Sequence, residues 1–150
     1  MTITRATPVL MVDDVGRAVA FYCDILGFAF VVGVLESSRE TVAVWPAPGP
    51  LAFALVECGQ ARFMFETRAA LAGELPRFAE TKIGGSLILY LDCDDLDALY
   101  ARLSERTPFL KAPHKTFYGT RECSFQDPNG YVLTFAEAVA QTTTPPETPA

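Results

Sequence analysis

Residues 12–28 read VDDVGRAVAFYCDILGF, and this stretch decides the fold class. From Val15 onward, apolar side chains recur at i, i+3, i+4, i+7 and i+11, which is the pattern of one buried helix face. Asp13 or Asp14 stands where the N-cap is expected, because a short acidic side chain accepts hydrogen bonds from the first free backbone N–H groups. Apolar runs on either side predict strands over residues 7–12 and 28–35.

The pattern that begins at Asp13 restarts at Asp94, where two aspartates again precede an amphipathic helix. In each half one apolar run comes before the helix and several follow it, so each half reads strand–helix–strand–strand–strand. The helix of such a unit shields one face of its sheet and leaves the other face bare. The sequence therefore predicts an α+β fold of two βαβββ modules, whose curled mixed sheets form a concave cleft.

A chain of 150 residues fits one domain, which we place at residues 1–137. The two modules span about residues 5–67 and 84–137, and the polar connector between them holds a helical turn near Leu71–Phe78. The segment 138–150 ends in QTTTPPETPA, which has no apolar periodicity, so we expect a flexible C-terminal tail there.

The composition excludes several classes of function. With a formal net charge of −6, the chain repels phosphate backbones, so we expect no nucleic-acid partner, and the acidic balance favours cationic small molecules. No window holds the roughly 18 apolar residues of a membrane span, and residues 1–8 lack the apolar core of a secretory signal. We therefore expect a cytoplasmic protein without a membrane partner. Its cysteines, expected to be reduced, are Cys23, Cys58, Cys93 and Cys123.

Two motifs in this order resemble those of a known family. The opening motif is VDDV at residues 12–15, with FY and LGF within residues 21–28, and the closing motif is YGTRE at residues 118–122 with DPNGY at residues 127–131. They resemble the glyoxalase / bleomycin resistance / extradiol dioxygenase superfamily, also called vicinal oxygen chelate (VOC) proteins, over about residues 5–137. The resemblance implies the two-module fold, but not one activity, because this fold hosts several chemistries.

The resemblance also implies where a metal would be bound. Metalloenzymes of this superfamily hold a divalent metal with His, Gln or Glu from the first and last strands of each half. The corresponding positions hold Thr7, Met64, Ile88 and Thr134, none of which is a normal ligand for Zn, Ni, Fe or Mn. His114 is the single histidine, and we interpret it as a solvated loop residue. We therefore expect no metal, no cofactor and no catalytic residue.

Strand alternation places Glu66 on the concave side if Phe63 and Phe65 face the helix. An isolated carboxylate in an apolar pocket is unfavourable unless it is paired. Two interpretations stay open for Glu66: a pocket anion that binds a cationic ligand or pairs with Arg62 or Arg121, or a solvated residue at the strand end.

Aromatic side chains are the other candidates for the pocket wall. Trp45 and Tyr118 stand next to loop signals, where pocket and core are both open interpretations, and we expect them to close the rim by stacking. Tyr90 and Phe117 are further wall candidates. Arg121 is expected to pair with a carboxylate at the cavity rim and hold the Tyr118 loop in place.

Two functions from different classes are considered. The first resembles the bleomycin-resistance branch of the superfamily, whose members lack the metal ligands and sequester a drug or metabolite in clefts shaped by a homodimer. The alternative is a glyoxalase-like metal-dependent lyase or isomerase, or a dioxygenase. We favour binding of a cationic or aromatic small molecule by a homodimer; whether modules pair within one chain or swap between two stays open. The predicted ligand-binding residues are Trp45, Met64, Glu66, Ile88, Tyr90, Phe117, Tyr118, Arg121 and Thr134, with Val9, Met11 and Val132 as further lining.

Overall fold

The structure, a computed structural model, describes residues 1–140, so most of the predicted tail lies outside the described residues. The first module contains β1 (Val9–Val12), α1 (Val15–Ala20) with a π-helical turn (Phe21–Ile25), β2 (Ala29–Leu35), β3 (Thr41–Val42), β4 (Leu51–Cys58) and β5 (Ala61–Thr67). The connector forms α2 (Arg68–Glu74) and a 3₁₀ turn (Pro76–Phe78). The second module contains β6 (Ile88–Asp92), α3 (Leu96–Ser104), β7 (Phe109–Lys115), β8 (Thr120–Gln126) and β9 (Val132–Ala138). The predicted α+β class with two βαβββ modules is confirmed.

Each module has its own mixed sheet. The strand order is β1-β5-β4-β2-β3 in the first sheet and β6-β9-β8-β7 in the second. The opening strand of each module runs parallel to the closing one, β1 with β5 and β6 with β9, and the other neighbours are antiparallel. Both opening strands therefore lie at a sheet edge, with one side free of strand partners in the described chain.

The repeated aspartates cap the two helices, as the sequence predicts. The Asp14 carboxylate accepts a hydrogen bond from the Arg17 backbone N–H at 2.9 Å, and Asp95 accepts one from Ala98 at 2.9 Å. Each cap satisfies a backbone donor that the first helical turn leaves free. Within residues 1–140, no helix is long and apolar enough to cross a membrane.

The two modules share one core, built on the helix-covered faces of both sheets. Tyr22 is fully buried, packs against Phe65 at a ring distance of 4.9 Å, and donates to the Asp127 carboxylate of the second module at 3.0 Å. In return, the Tyr131 hydroxyl donates to the backbone carbonyl of Met11 at 2.8 Å. The two modules thus contribute to one core, and the strand residues that alternate with the core residues point to the other face of each sheet.

The runs at residues 41–45 (TVAVW) and 115–118 (KTFY) predict two further strands, and both differ from the structure. The strand predicted over residues 115–118 is wrong, because Thr116 begins a turn in which its backbone N–H donates to the Thr120 carbonyl at 2.8 Å. The strand predicted over residues 41–45 is only the two-residue edge strand β3, because the chain leaves the sheet before Trp45. Both segments lie at loops, where apolar residues pack individually instead of following a strand period.

Candidate functional site

The second sheet carries a polar and aromatic surface on the face turned away from α3. The strand register puts Tyr90 beside Thr134, and Thr134 beside Ser124. Their neighbours along the strands, Leu89 and Leu133, point into the core, which places these three side chains on the opposite face. We call this surface, Ile88, Tyr90, Glu122, Ser124 and Thr134, the module-2 face.

Glu122 is the shared hydrogen-bond acceptor of the module-2 face. Its Oε1 atom accepts three hydrogen bonds, from the Tyr90 hydroxyl at 2.6 Å, the Tyr118 hydroxyl at 2.7 Å and the Thr120 hydroxyl at 2.9 Å. The Glu122 residue is buried, with an exposed fraction of 6%. Bonds from hydroxyls to a charged oxygen are short and strong, so they fix the positions of both tyrosines.

The hydrogen bonds decide the charge of this cluster. Burial by itself raises the pKa of Glu122, but the hydroxyls of Tyr90, Tyr118 and Thr120 outweigh it and hold that pKa below its usual value. The same carboxylate raises the pKa of the Tyr90 phenol to about 12, chiefly because the hydrogen bond stabilises the protonated phenol. At neutral pH the cluster is therefore one carboxylate held by neutral hydroxyls.

The first sheet presents a different surface. On β1 and β5, Val9 is in register with Met64 and Met11 with Glu66. Glu66 is in turn in register with Phe53 on β4. We call these five residues the module-1 face. The Oε2 atom of Glu66 is buried without a hydrogen-bond partner. Burial raises the pKa of Glu66, and the nearby charge of Glu74 adds to that rise.

The model of the Glyoxalase/Bleomycin resistance protein/Dioxygenase superfamily matches residues 3–135. The chain belongs to this superfamily. A comparison with curated proteins found no match.

Solved structures share the superfamily's two-module architecture. A protein of unknown function from Agrobacterium tumefaciens is 22% identical, with a TM-score of 0.69, and the match covers 93% of this chain and 97% of that one. A superfamily enzyme from Burkholderia phytofirmans is 23% identical, with a TM-score of 0.66 and coverages of 89% and 97%. A superfamily member from Sphaerobacter thermophilus is also 23% identical, with a TM-score of 0.65 and coverages of 90% and 98%. At these identities the likeness shows the fold alone.

The residues at the superfamily's metal positions do not fit a metal. Met64 and Ile88 offer no oxygen or nitrogen ligand, and the Thr134 hydroxyl lies 2.9 Å from the Ser124 hydroxyl, with which it shares a hydrogen bond. Thr7 lies before the first residue of β1. The β1 residue in register with Met64 is Val9, whose side chain has no metal-ligating atom. Among residues 1–140, no three His, Cys, Asp or Glu side chains come together as a metal-binding group.

His114 lies in a strand, so its predicted loop position is wrong. It belongs to β7, in register with Glu122, and its Nδ1 lies 2.9 Å from the Ala112 carbonyl. The Pro113 signal misled the sequence interpretation, because proline is tolerated on an edge strand, and β7 is the edge of the second sheet.

Trp45 lies on the other side of the first sheet from the module-1 face. Its ring packs against Phe30 at 5.8 Å beside the shared core, and its indole N–H donates to Asp24 at 3.2 Å. The expectation that it closes a rim together with Tyr118 is therefore wrong. The indole contacts Phe30 and donates to Asp24, and both residues are too far from Trp45 in sequence to be predicted from its neighbours.

Arg121 also lies away from the predicted rim. Its guanidinium pairs with Asp97 of α3 at 2.7 Å and with Glu137 at 3.3 Å, on the helix side of the sheet. It does pair with carboxylates, but it does not hold the Tyr118 loop. That role falls to the next residue, Glu122, because consecutive strand residues point to opposite faces.

Of the predicted residues, the structure brings Tyr90 and Tyr118 together at Glu122. Thr134 and Ile88 share the face of Tyr90, and Phe117 is fully exposed with its ring 5.0 Å from that of Tyr118. Met64 and Glu66 share the module-1 face on the other sheet.

Glu122 is the residue that sequence reasoning missed. It was visible as part of the YGTRE motif, but not as a site residue. Counting strand alternation from Thr134 across the DPNG turn would have placed Glu122 on the same face of the sheet as Thr134.

The described chain also has a cleft of about 830 Å³ between the two modules. Its walls are the π-helical turn and the β4–β5 turn of the first module, facing β6 and α3 of the second. Tyr90 is the single predicted ligand-binding residue along it. This cleft therefore differs from the concave surface that the sequence predicts.

Proposed function

We propose that the protein is a cytoplasmic small-molecule binding protein of the bleomycin-resistance type. In this proposal it sequesters a drug or metabolite in a cleft between two copies of the chain, where the module-1 face of one copy meets the module-2 face of the other. The observation that carries the proposal is that the two faces lie on separate sheets of one chain, each beside a free edge strand.

Exposed apolar side chains along these edges support pairing of two copies. Val9 on β1 is 45% exposed and Ile88 on β6 is 61% exposed, although both lie in well-formed strands. A free edge strand with apolar side chains is a surface that proteins normally cover. Pairing β1 of one copy beside β6 of another would cover both edges and join the two faces into one cleft.

The residues of the two faces support binding in preference to metal-dependent chemistry. The positions at which the superfamily's metalloenzymes hold their metal carry Thr7, Met64, Ile88 and Thr134. A surface of apolar and aromatic side chains with a few fixed polar groups is typical of small-molecule sites. No observation on the chain favours the lyase, isomerase or dioxygenase alternative.

The decisive experiment tests Ile88→Asp against Val44→Asp. Both residues are 61% exposed, but Val44 follows β3 at the opposite edge of the first sheet. Light scattering should give twice the chain mass of 16.3 kDa for the wild type and Val44→Asp, and the single-chain mass for Ile88→Asp. A thermal-shift screen of cationic antibiotics and small aromatic metabolites, run with EDTA, should yield hits that Ile88→Asp loses.

Three results would contradict the proposal. One is a single-chain mass for the wild type at every concentration. The second is a hit that binds Ile88→Asp as well as the wild type. The third is a stoichiometric transition metal in protein purified without added metal, since the residues at the expected positions cannot hold one.

A further inference from the structure

Two tyrosine rings cover one buried carboxylate on the module-2 face. Tyr90 is 50% exposed and Tyr118 is 56% exposed, whereas Glu122 is almost completely shielded. Both hydroxyls donate to the same Oε1 atom of Glu122. The hydroxyl ends of the rings are therefore fixed, while much of each ring remains open to a ligand.

Glu122 forms no ion pair within the described residues, and the basic side chain in register with it is His114 on β7, whose electrostatic influence helps to lower the pKa of Glu122. Three ion pairs form within residues 1–140, and none of them includes Glu122. Arg121, its neighbour in sequence, is paired on the helix side of the sheet. Lys111 is in register with Ser124 on the same sheet, but it is exposed, so water and salt screen its charge.

Three hydroxyls donate hydrogen bonds to this carboxylate, and the two phenols among them pass part of its negative charge to their rings. A phenol that donates to a carboxylate is polarised toward phenolate, so its ring becomes richer in electrons. Electron-rich ring faces attract cations, and the attraction grows where water is excluded. The cluster is thus an aromatic surface with a fixed negative charge behind it.

We propose that Tyr90, Tyr118 and Glu122 form a binding site for an organic cation that carries an aromatic group, such as an N-alkylated heteroaromatic ring. The inference rests on the proposed function and names the ligand class of its cleft.

Phe117 and the bonding of Glu122 narrow the class of ligand. The ring of Phe117 is fully exposed and meets Tyr118 edge to face at 5.0 Å, which extends the aromatic surface and favours a flat ring in the ligand. An inorganic cation needs bare oxygen ligands, but Oε1 of Glu122 already accepts three hydrogen bonds.

The test compares two dyes of one shape by equilibrium dialysis against the whole chain. Thioflavin T is an N-methylated benzothiazolium cation. The neutral dye is the same arylbenzothiazole molecule without the N-methyl group and its charge. Wild type should bind thioflavin T about ten-fold more tightly than the neutral dye, and added salt should reduce that ratio.

Glu122→Gln keeps an oxygen that can accept from the hydroxyls but removes the charge. It should lose about five-fold or more of the thioflavin T affinity and leave the neutral dye within about two-fold. Glu36→Gln makes the same change at an exposed turn after β2 and should behave like the wild type. Tyr118→Leu, in an exposed turn, removes one ring with little risk to folding and should likewise lose the preference for the cation.

The outcomes separate this inference from the proposed function. Equal affinity for the two dyes, or a cation preference that survives in both Glu122→Gln and Tyr118→Leu, would overturn the cation site and leave binding in the cleft standing. Binding of neither dye by the wild type would overturn the cation site. If the thermal-shift screen of the wild type also gave no hit, the proposed function would be overturned together with the cation site.

Discussion

The module-1 face and the module-2 face each carry one carboxylate, and the pKa values of the two shift in opposite directions. Glu122 has its pKa lowered because three hydroxyls donate to one of its oxygens, which outweighs burial. Glu66 has its pKa raised, because burial is not offset by any donor to Oε2 and the charge of Glu74 lies nearby. Burial acts on both residues, so the supply of hydrogen-bond donors decides which carboxylate carries a stable charge.

The difference follows from the residues in register with each carboxylate. Glu66 stands between Met11 and Phe53, neither of which has a side-chain donor. Glu122 accepts hydrogen bonds from Tyr90 on β6, from Tyr118 in the turn before β8 and from Thr120 at the start of β8. Of the two carboxylates, Glu122 is the one whose charge is stabilised by hydrogen-bond donors, and the pocket role of Glu66 stays a prediction.

The largest expected effect comes from replacing each carboxylate by leucine. Glu122→Leu should lower the free energy of unfolding by about 2–3 kcal/mol, because it removes three hydrogen bonds to a charged oxygen. Glu66→Leu should not lower it and should raise it by about 0.5 kcal/mol, because a carboxylate with an unpartnered oxygen is replaced by an apolar group. Urea unfolding monitored by circular dichroism measures both. Equal losses in the two variants would show that the faces do not differ as described.

A smaller effect is expected from Arg121, which acts on the opposite side of the sheet from Glu122. Arg121→Ala should lower the melting temperature by a few degrees, because Asp97 and Glu137 lose their partner. Arg121→Lys should recover part of that loss, since Lys lacks the planar guanidinium fork. Ligand affinity should stay unchanged in both variants. A loss of affinity that exceeds the loss of stability would place Arg121 at the ligand site.

The smallest effect is expected from Glu66→Gln, which should stabilise the fold by about 0.5 kcal/mol at pH 7, because the residue is partly exposed and water screens its charge. The sign follows from the raised pKa of Glu66. Protonated Glu66 contributes most to the stability of the wild type below the pKa of about 4.3 that a glutamate has in the unfolded chain. That contribution is lost as the pH rises through the higher pKa of Glu66 in the folded chain. The difference between the two chains should therefore be absent near pH 3 and present at pH 7. Denaturant midpoints across this range measure it, and a constant difference would mean that the pKa of Glu66 is not raised.

Local patterns in the sequence determined the framework of the protein. The helix period from Val15 and the paired aspartates located both helices and their caps, because these depend on neighbours within a few residues. The restart of the pattern at Asp94 predicted the second module. Strand alternation placed Glu66 on the face opposite the core residues Phe63 and Phe65, because alternate residues of a strand point to one side.

Only the tertiary structure decided which side chains act together. Trp45 and Arg121 were predicted at the rim, but each found a partner on the helix side, Asp24 for the first and Asp97 for the second. Glu122 became the centre of the module-2 face because folding brought Tyr90 to it from 32 residues away. Such choices depend on distance and competition between partners in three dimensions, and neither is encoded in the period of a helix or a strand.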